Sequence, residues 1–581
     1  SRSARADRSG RSAHFDHAHR APSPQTTGII MGLKPRHMLA LALLVFALFL
    51  PGRASLPPFD RDEPRYMEAT AQMLRSGNFV DVRFQDKPRY LQPAGIYWLE
   101  AVAVKASGVR RLNLTWPYRI PSLLAVVAVV VLTVRTGTVL FGVPAGLLAG
   151  GFLATSVLLT AEGRMATIDS MLLLTVMLVE CALLRAFVDR EHKRPTSVLT
   201  ALTYWGAIGC GLMLKGPVIL IPAFGTPLAL AAVERRVAWW SRLRPAWGWL
   251  IAIAIVLPWC IAIGVVSHGQ FFANAVGTNF LGKVASGQQA HGLPPGYHLG
   301  VFAIAFWPGS LFAVAALPAI VNRRMLAPVR FLLCWIVPHW LVFEAIATKL
   351  PHYVLPTYPA IAILTGACIA TLPSTRFRPA SLWGRGLLGA YGLVWLAVGL
   401  ALSAAGPVLL WRLEHVVSAP ALIATGGSLP LILIAAWLFW RQHIREAAWS
   451  VMAAAVVIYT GLFVGVLPKL ETLWLSPRVA ALVDDYRLCP ATTVASASYS
   501  EPSLVFLVGQ DTKLVNAVEA AAFLAHDPSC GLALVDRRDE AAFMGSLAQR
   551  SLRPIEYGRV QGLNYSTGRH LDLGLYGLTP P

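Results

Sequence analysis

Asp60-Arg61-Asp62-Glu63-Pro64-Arg65-Tyr66, followed by Asp86-Lys87-Pro88-Arg89-Tyr90-Leu91-Gln92-Pro93 and by Tyr97-Trp98, gathers charges of both signs, tyrosines and prolines directly behind an apolar run. Ionisable groups at the edge of a bilayer are costly to keep there, so their default reading is functional. The stretch is expected to be a first extracytoplasmic loop carrying half of an active site.

That reading depends on the rest of the chain lying in a membrane, and composition says that it does. Of 581 residues, 55% are hydrophobic and only 14% charged, with a mean hydropathy of +0.56. One soluble core cannot bury that much apolar surface. The net charge of +20 would suit a nucleic-acid binder, but the basic residues sit in short loops between apolar runs, and no Lys/Arg helix interleaved with aromatics occurs. This is the positive-inside pattern of a membrane protein, so nucleic acid is excluded as a partner.

With ~20 apolar residues per span, about thirteen helices are expected between residues 37 and 467. Arg185, Arg190, Lys193 and Arg194, then Arg235, Arg236, Arg242 and Arg244, then Arg323, Arg324 and Arg330, then Arg376 and Arg378, then Arg441 and Arg445 fall in every second loop. Those loops are read as cytoplasmic. An odd number of spans then puts the C-terminus outside. Residues 1–36, rich in Arg, Ser and His, are expected to be disordered, with Met31 as an alternative start. Residues 468–581 alternate helical patterns (Pro477 to Tyr486, Ala517 to His526, Glu540 to Arg550) with strand-like runs (Thr493 to Ala497, Leu532 to Val535, Leu571 to Tyr576). They are expected to form a small periplasmic α/β domain acting as a lid or scaffold.

Of seven cysteines, Cys181, Cys210, Cys260, Cys334 and Cys368 lie in apolar runs without metal-ligand spacing and read as packing residues. Cys489 and Cys530 either pair in an oxidising compartment or stay as buried thiols. The loop between residues 267 and 297 holds Asn274, Asn279, His268 and His291, with His298 just beyond it. Its histidine spacing is irregular, and it reads as a substrate-covering segment more than a metal site. Trp239 and Trp240 read as interfacial anchors. No metal is assigned.

The chemistry is expected on the outer side, where Asp62 and Glu63 meet Asp169 of the stretch Arg164 to Asp169, with Arg65, Lys87, Arg89, Arg164 and Lys215 nearby. Two carboxylates among several cations suit a reaction in which an anionic phosphate leaves and a hydroxyl attacks. A surface ion pair between Asp62 and Arg65, three residues apart, is the plainer reading of those two alone. Glu344 and Lys349 are expected to pair or to line the cavity.

In order and spacing, Asp62 to Tyr66, the Lys-Pro and Gln-Pro segments ending in Tyr97-Trp98, Arg164 to Asp169, Leu214-Lys215-Gly216-Pro217, and Thr348 to Pro356 resemble the membrane glycosyltransferases of the GT-C type. The closest resemblance is to the lipid A aminoarabinose transferase and protein O-mannosyltransferase families, over roughly residues 38 to 360. The resemblance implies a polytopic α-helical enzyme of the inner membrane that takes a sugar from a polyprenyl-phosphate donor to a lipid or glycan acceptor outside, lipid A first and a protein second. It implies Asp62 and Asp169 as catalytic carboxylates, Arg65 as the cation near the donor phosphate and Tyr353 as an aromatic close to the donor, and with the outer-side residues Tyr66, Lys87, Arg89, Gln92, Arg164, Lys215 and Lys349 these make up the expected donor-phosphate and substrate-binding set. In the aminoarabinose transferases a lysine that contacts the donor phosphate, preceded by an acidic residue that helps to hold a metal, occupies the positions of Gln92 and Leu91. The phosphate contact is therefore expected to pass to Lys87 or Arg89, and the metal is not carried over. A monomer is expected. A lipid or sugar transporter is the rival class, but internal repeats are lacking. An oligosaccharyltransferase lacks support because the tail has no Trp-Trp-Asp motif.

Overall fold

The computed structural model describes residues 33–236, 238–275, 277, 282, 293–487 and 489–578. Residues 1–32 with Met31, the side chain of Trp239, Asn279, His291 and the terminal Pro581 lie outside the described residues. The chain is mostly helical. Among the described residues nine helices are long and apolar enough to cross a membrane. Of these, the 37-residue stretch Val198–Glu234 would reach about 55 Å as one helix, far beyond a ~30 Å hydrocarbon layer. It breaks at Lys215-Gly216, where Gly216 adopts φ +60° and a 3-10 turn runs over Gly216–Ile219. The two arms fold back on each other, since the Tyr204 hydroxyl donates to the Ala223 carbonyl at 2.7 Å. Lys215 thus sits at the tip of a helical hairpin. Pro35–Phe49, Val143–Ala154 and Ser310–Asn322 are shorter apolar helices within the remaining apolar segments of the sequence.

At the arginine-rich end of the bundle, Glu234 gathers two loops, pairing with Arg190 and with Arg330 at 2.6 Å. The opposite end carries the opening stretch, which differs from the loop expected of it. It forms a helix, Asp62–Ser76, a two-stranded hairpin of β1 (Arg83–Phe84) and β2 (Lys87–Pro88), and a second helix, Gly95–Ala106. Asp62, Glu63 and Pro64 make a favourable first turn, because carboxylates suit the positive end of the helix dipole and proline needs no N–H there. Gly77 ends the helix in the left-handed conformation, φ +70°.

A buried clasp fastens this layer to the bundle. The Glu63 carboxylate accepts from the Arg119 guanidinium at 2.7 and 2.9 Å, from the Phe59 N–H at 2.8 Å and from the Ala166 N–H at 2.7 Å. With both charges buried, only this full set of partners offsets their desolvation. Deeper in the layer, Thr70 donates to the fully buried Glu100 carboxyl at 2.6 Å, whose pKa burial raises well above the ordinary value.

The C-terminal region forms a five-stranded sheet, in the order β4-β3-β5-β7-β6. Its strands are β3 (Thr493–Ala497), β4 (Lys513–Val515), β5 (Gly531–Asp536), β6 (Ile555–Asn564) and β7 (Arg569–Gly577). β3 runs parallel to both β4 and β5, whereas β7 is antiparallel to β5 and β6. The central strand β5 is buried along its whole length, which is why it reads as an unbroken apolar run. Asn516 and Glu519 close a capping box on the Ala517–His526 helix that packs on it. Cys489 and Cys530 are joined by a disulfide, with Cα atoms 5.6 Å apart.

This sheet unit docks on the opening stretch. Its helix Pro502–Val508 inserts Phe506 against Tyr118, ring centroids 5.6 Å apart, in a cluster with Met67 and Ala71. Asp60 accepts from the Ser503 N–H at 3.0 Å and hydroxyl at 2.6 Å, and its own N–H donates to the Tyr565 hydroxyl at 2.8 Å. Burial lifts the Asp60 carboxyl to about 6, with the Glu501 charge adding and the Ser503 bonds opposing.

Candidate active site

Asp169 opens the span Asp169–Glu191, Lys215 tips the helical hairpin, and His352 and Tyr353 lie in the 3-10 turn Pro351–Thr357 that leads into another span. Packing of those spans brings the four side chains together. The Lys215 ammonium donates to Asp169 at 2.5 Å and lies 5.5 Å from the centroid of the Tyr353 ring. The His352 imidazole reaches Asp169 at 3.7 Å through Nε2 and Glu162 at 3.6 Å through Nδ1. Thr167 donates to the other Glu162 oxygen at 2.8 Å.

These groups border a cavity of about 250 Å³. Asp169, Lys215, His352, Tyr353 and Gln92 are on its wall, and Val256, Trp259, Phe271, Phe272, Phe343 and Ile346 make much of the rest. It is an apolar chamber with a charged rim. Gln92 is held there by donating to the Tyr66 hydroxyl at 2.5 Å. Arg89 lies behind, its Nε donating to the Tyr97 hydroxyl at 3.0 Å and its guanidinium 5.2 Å from the Tyr66 centroid.

Asp62 stands at the start of its helix with its side chain 75% exposed, 3.7 Å from Arg65. It is near enough for its charge to act on Tyr353 and Glu162. Arg65 in turn is half-buried, and burial together with the neighbouring Arg89 lowers its pKa. Lys87, on β2, faces a second, wider groove shared with Arg65 and Arg89.

Two of the expected substrate-binding cations are placed elsewhere. The Arg164 guanidinium is buried, donates to the carbonyls of Pro51, Thr160 and Leu48, and packs on Phe463 at 4.1 Å. It staples the first helix to the bundle. Lys349, 2% exposed, donates to the Glu344 and Ile346 carbonyls, capping the Ala327–Ala345 helix. It does not pair with the Glu344 carboxylate, which takes the Gly296 N–H at 2.9 Å and lies 3.5 Å from His298. Glu162 and His352, conversely, belong to the cluster although they are not among the expected site residues. The signal for Glu162 is its place seven residues before Asp169 on the same connection. For His352 it is its place next to Tyr353 in the Lys-Leu-Pro-His-Tyr run.

Glu162, Asp169 and His352 offer ligand atoms within 4.8 Å of one another, a set able to hold a cation, although the Lys215 ammonium already supplies positive charge beside Asp169. Leu91, where the resemblance to the aminoarabinose transferases leads one to expect an acidic metal ligand, offers no ligand side chain.

The family described as dolichyl-phosphate-mannose-protein mannosyltransferase matches residues 37–270. The undecaprenyl phosphate-alpha-4-amino-4-deoxy-L-arabinose arabinosyl transferase of Pectobacterium carotovorum subsp. carotovorum (strain PC1) is 27% identical over 356 residues, 60% of this chain and 61% of that protein. The match therefore spans about three-fifths of that relative's length. The protein of the same name from Pseudomonas paraeruginosa (strain DSM 24068 / PA7) is 27% identical over 73% of this chain and 75% of its own. Among solved structures, ArnT from Cupriavidus metallidurans bound to undecaprenyl phosphate superposes with a TM-score of 0.71 at 18% identity, covering 93% of this chain and 97% of that one. The chain has the fold of the GT-C type membrane glycosyltransferases and resembles the aminoarabinose transferases and protein mannosyltransferases among them.

Proposed function

We propose that this protein transfers a sugar from a polyprenyl-phosphate donor to an acceptor on the outer side of the cytoplasmic membrane, lipid A being the acceptor that the similar arabinosyl transferases suggest. The observation that carries the reading is the apolar cavity ending in the Asp169–Lys215–His352 rim, beside Asp62 and Arg65. An isoprenoid chain suits the walls of Phe271, Phe272 and Trp259, and the donor phosphate suits the rim, where Lys215 is the cation on the wall.

The acceptor oxygen attacks the anomeric carbon, the bond from that carbon to the phosphate oxygen breaks, and polyprenyl phosphate leaves with the electron pair. Fixed cations in a water-poor site stabilise that leaving charge. Asp169 is engaged by Lys215, and its role is to hold the ammonium in place. Asp62, exposed and only loosely paired, is the carboxylate free to take the proton of an acceptor hydroxyl. General-base positioning of this kind supplies roughly 10²–10⁴-fold. An acceptor phosphate, already ionised, would need Asp62 only for orientation.

Purified protein in a lipid bilayer, given undecaprenyl-phosphate aminoarabinose and lipid A, is expected to release undecaprenyl phosphate and to add the sugar's mass to lipid A. Donor that stays intact with every lipid and glycan acceptor offered would overturn the reading.

A further inference from the structure

Outside the cavity lies a groove of about 800 Å³ between the β1–β2 hairpin and the segment that leads into β4. Its near wall carries Arg65, Lys87 and Arg89, and its far wall Gln510, Thr512 and Lys513 of the C-terminal sheet unit. The two walls are tied together. The Gln85 side-chain amide donates to the Gln510 carbonyl at 3.0 Å and the Thr512 carbonyl at 2.6 Å, while the Gln85 carbonyl accepts from Gln72 at 2.7 Å. Arg75 adds a bond to the Gln510 side chain at 3.0 Å.

Four cations line this groove against two carboxylates, Asp86 and Asp511. Among the described residues, the Lys87 and Lys513 ammonium groups have no ion pair or side-chain hydrogen bond, so their charge is unspent. The lining mixes polar and apolar groups where the inner cavity is almost wholly apolar, and its volume lies in the range of small-molecule sites. Arg65 belongs to the groove and also stands 3.7 Å from Asp62. A molecule seated in the groove therefore touches the arginine that pairs with the carboxylate proposed as base.

We infer that the groove binds the phosphorylated saccharide head group of the acceptor, with Lys513 of the C-terminal sheet unit and Lys87 of the hairpin as its phosphate contacts. The inference rests on the glycosyl-transfer reading for the word acceptor, but its binding chemistry stands apart from it. Lys87 then serves the acceptor and not the donor phosphate, and the C-terminal unit is one wall of the acceptor site.

The test is binding by the full-length protein in phosphatidylcholine nanodiscs. The probes are the deacylated, bisphosphorylated glucosamine disaccharide of lipid A, the same disaccharide after phosphatase treatment, and inorganic phosphate. The phosphorylated disaccharide is expected to bind at least ~10-fold more tightly than the other two, a factor that one good charge contact supplies. The double variant Lys87→Glu, Lys513→Glu should lose that preference, and the milder Lys513→Gln should weaken it. Equal binding of the two disaccharides, or a preference unchanged in folded variants, overturns the inference. Inorganic phosphate binding as tightly as the disaccharide overturns the saccharide part of it. An intact preference in a protein that transfers no sugar from any polyprenyl-phosphate donor overturns the glycosyl-transfer reading and leaves the phosphosaccharide groove standing.

Discussion

Adjacent carboxylates in the opening stretch have opposite fates. Asp62 is out in water at a helix start, while Glu63 is locked in the bundle by Arg119 and two backbone N–H groups. Removing one partner of such a buried pair leaves the other uncompensated, a loss of about 3–5 kcal/mol. Glu63→Gln is thus expected to lower the yield of monodisperse protein and its melting temperature, as thermal scanning would show. A variant as stable as the parent would mean that the clasp is not structural. Sequence alone could name the Asp62 position, because charge behind an apolar run is conspicuous. It could not separate the two acids, because Arg119 is 56 residues away from Glu63. The structural role of Arg164 is hidden from the sequence for a related cause: its three carbonyl acceptors come from helix ends brought near by packing. The donor phosphate is proposed to meet Lys215, not Lys87 or Arg89. Lys215→Ala is expected to slow transfer by at least ~10²-fold and to weaken donor binding more than Lys87→Ala or Gln92→Ala does. Equal and small effects from all three, in a lipid-donor binding assay, would place the phosphate elsewhere.

Elements were legible where periodicity is strong. The apolar spans announce themselves by their length and hydropathy, and the β5 run because it is buried along its whole length. The helix–hairpin–helix from Asp62 to Ala106 has the charges and prolines of a loop, although Pro64 sits in a first turn and Gly77 at a C-terminus, positions where those residues favour a helix. β6, alternately exposed and buried around two glycines, gave no apolar run to find. The Pro502–Val508 helix was likewise unseen, and it makes the contact beside Asp62. Its clasp to Asp60 carries a pH dependence. The Asp60 carboxyl is raised in the docked state to about 6, so the proton favours docking. The contribution is complete below the ordinary carboxylate range and fades as pH rises through about 6. Hydrogen exchange in residues 502–508, corrected for intrinsic rates, is expected to show greater protection at pH 5 than at pH 7.5. Asp60→Asn should remove that difference, and equal protection at both pH values in the parent would contradict the sign.

At the scale of the whole molecule, the arginine-rich loops and the Asp169–Lys215–His352 rim occupy opposite ends of the bundle, as the alternation of charge along the sequence implies. We propose that the rim and the C-terminal sheet unit lie outside the cytoplasm. A reporter active only in the periplasm should therefore work when fused at the C-terminus and fail when fused near Arg235; the reverse would invert the orientation. The central claim is that an outer-face carboxylate transfers sugar from a lipid-linked donor held by the cavity rim. Its most direct test is single-turnover transfer by purified Asp62→Asn protein, which keeps shape and hydrogen bonding but loses charge and basicity. With an acceptor hydroxyl, the variant is expected to be monodisperse, to bind the polyprenyl-phosphate donor as the parent does and to transfer sugar at least ~10²-fold more slowly. Near-normal turnover per folded molecule would contradict the claim, because Asp62 would then take no part in the chemistry.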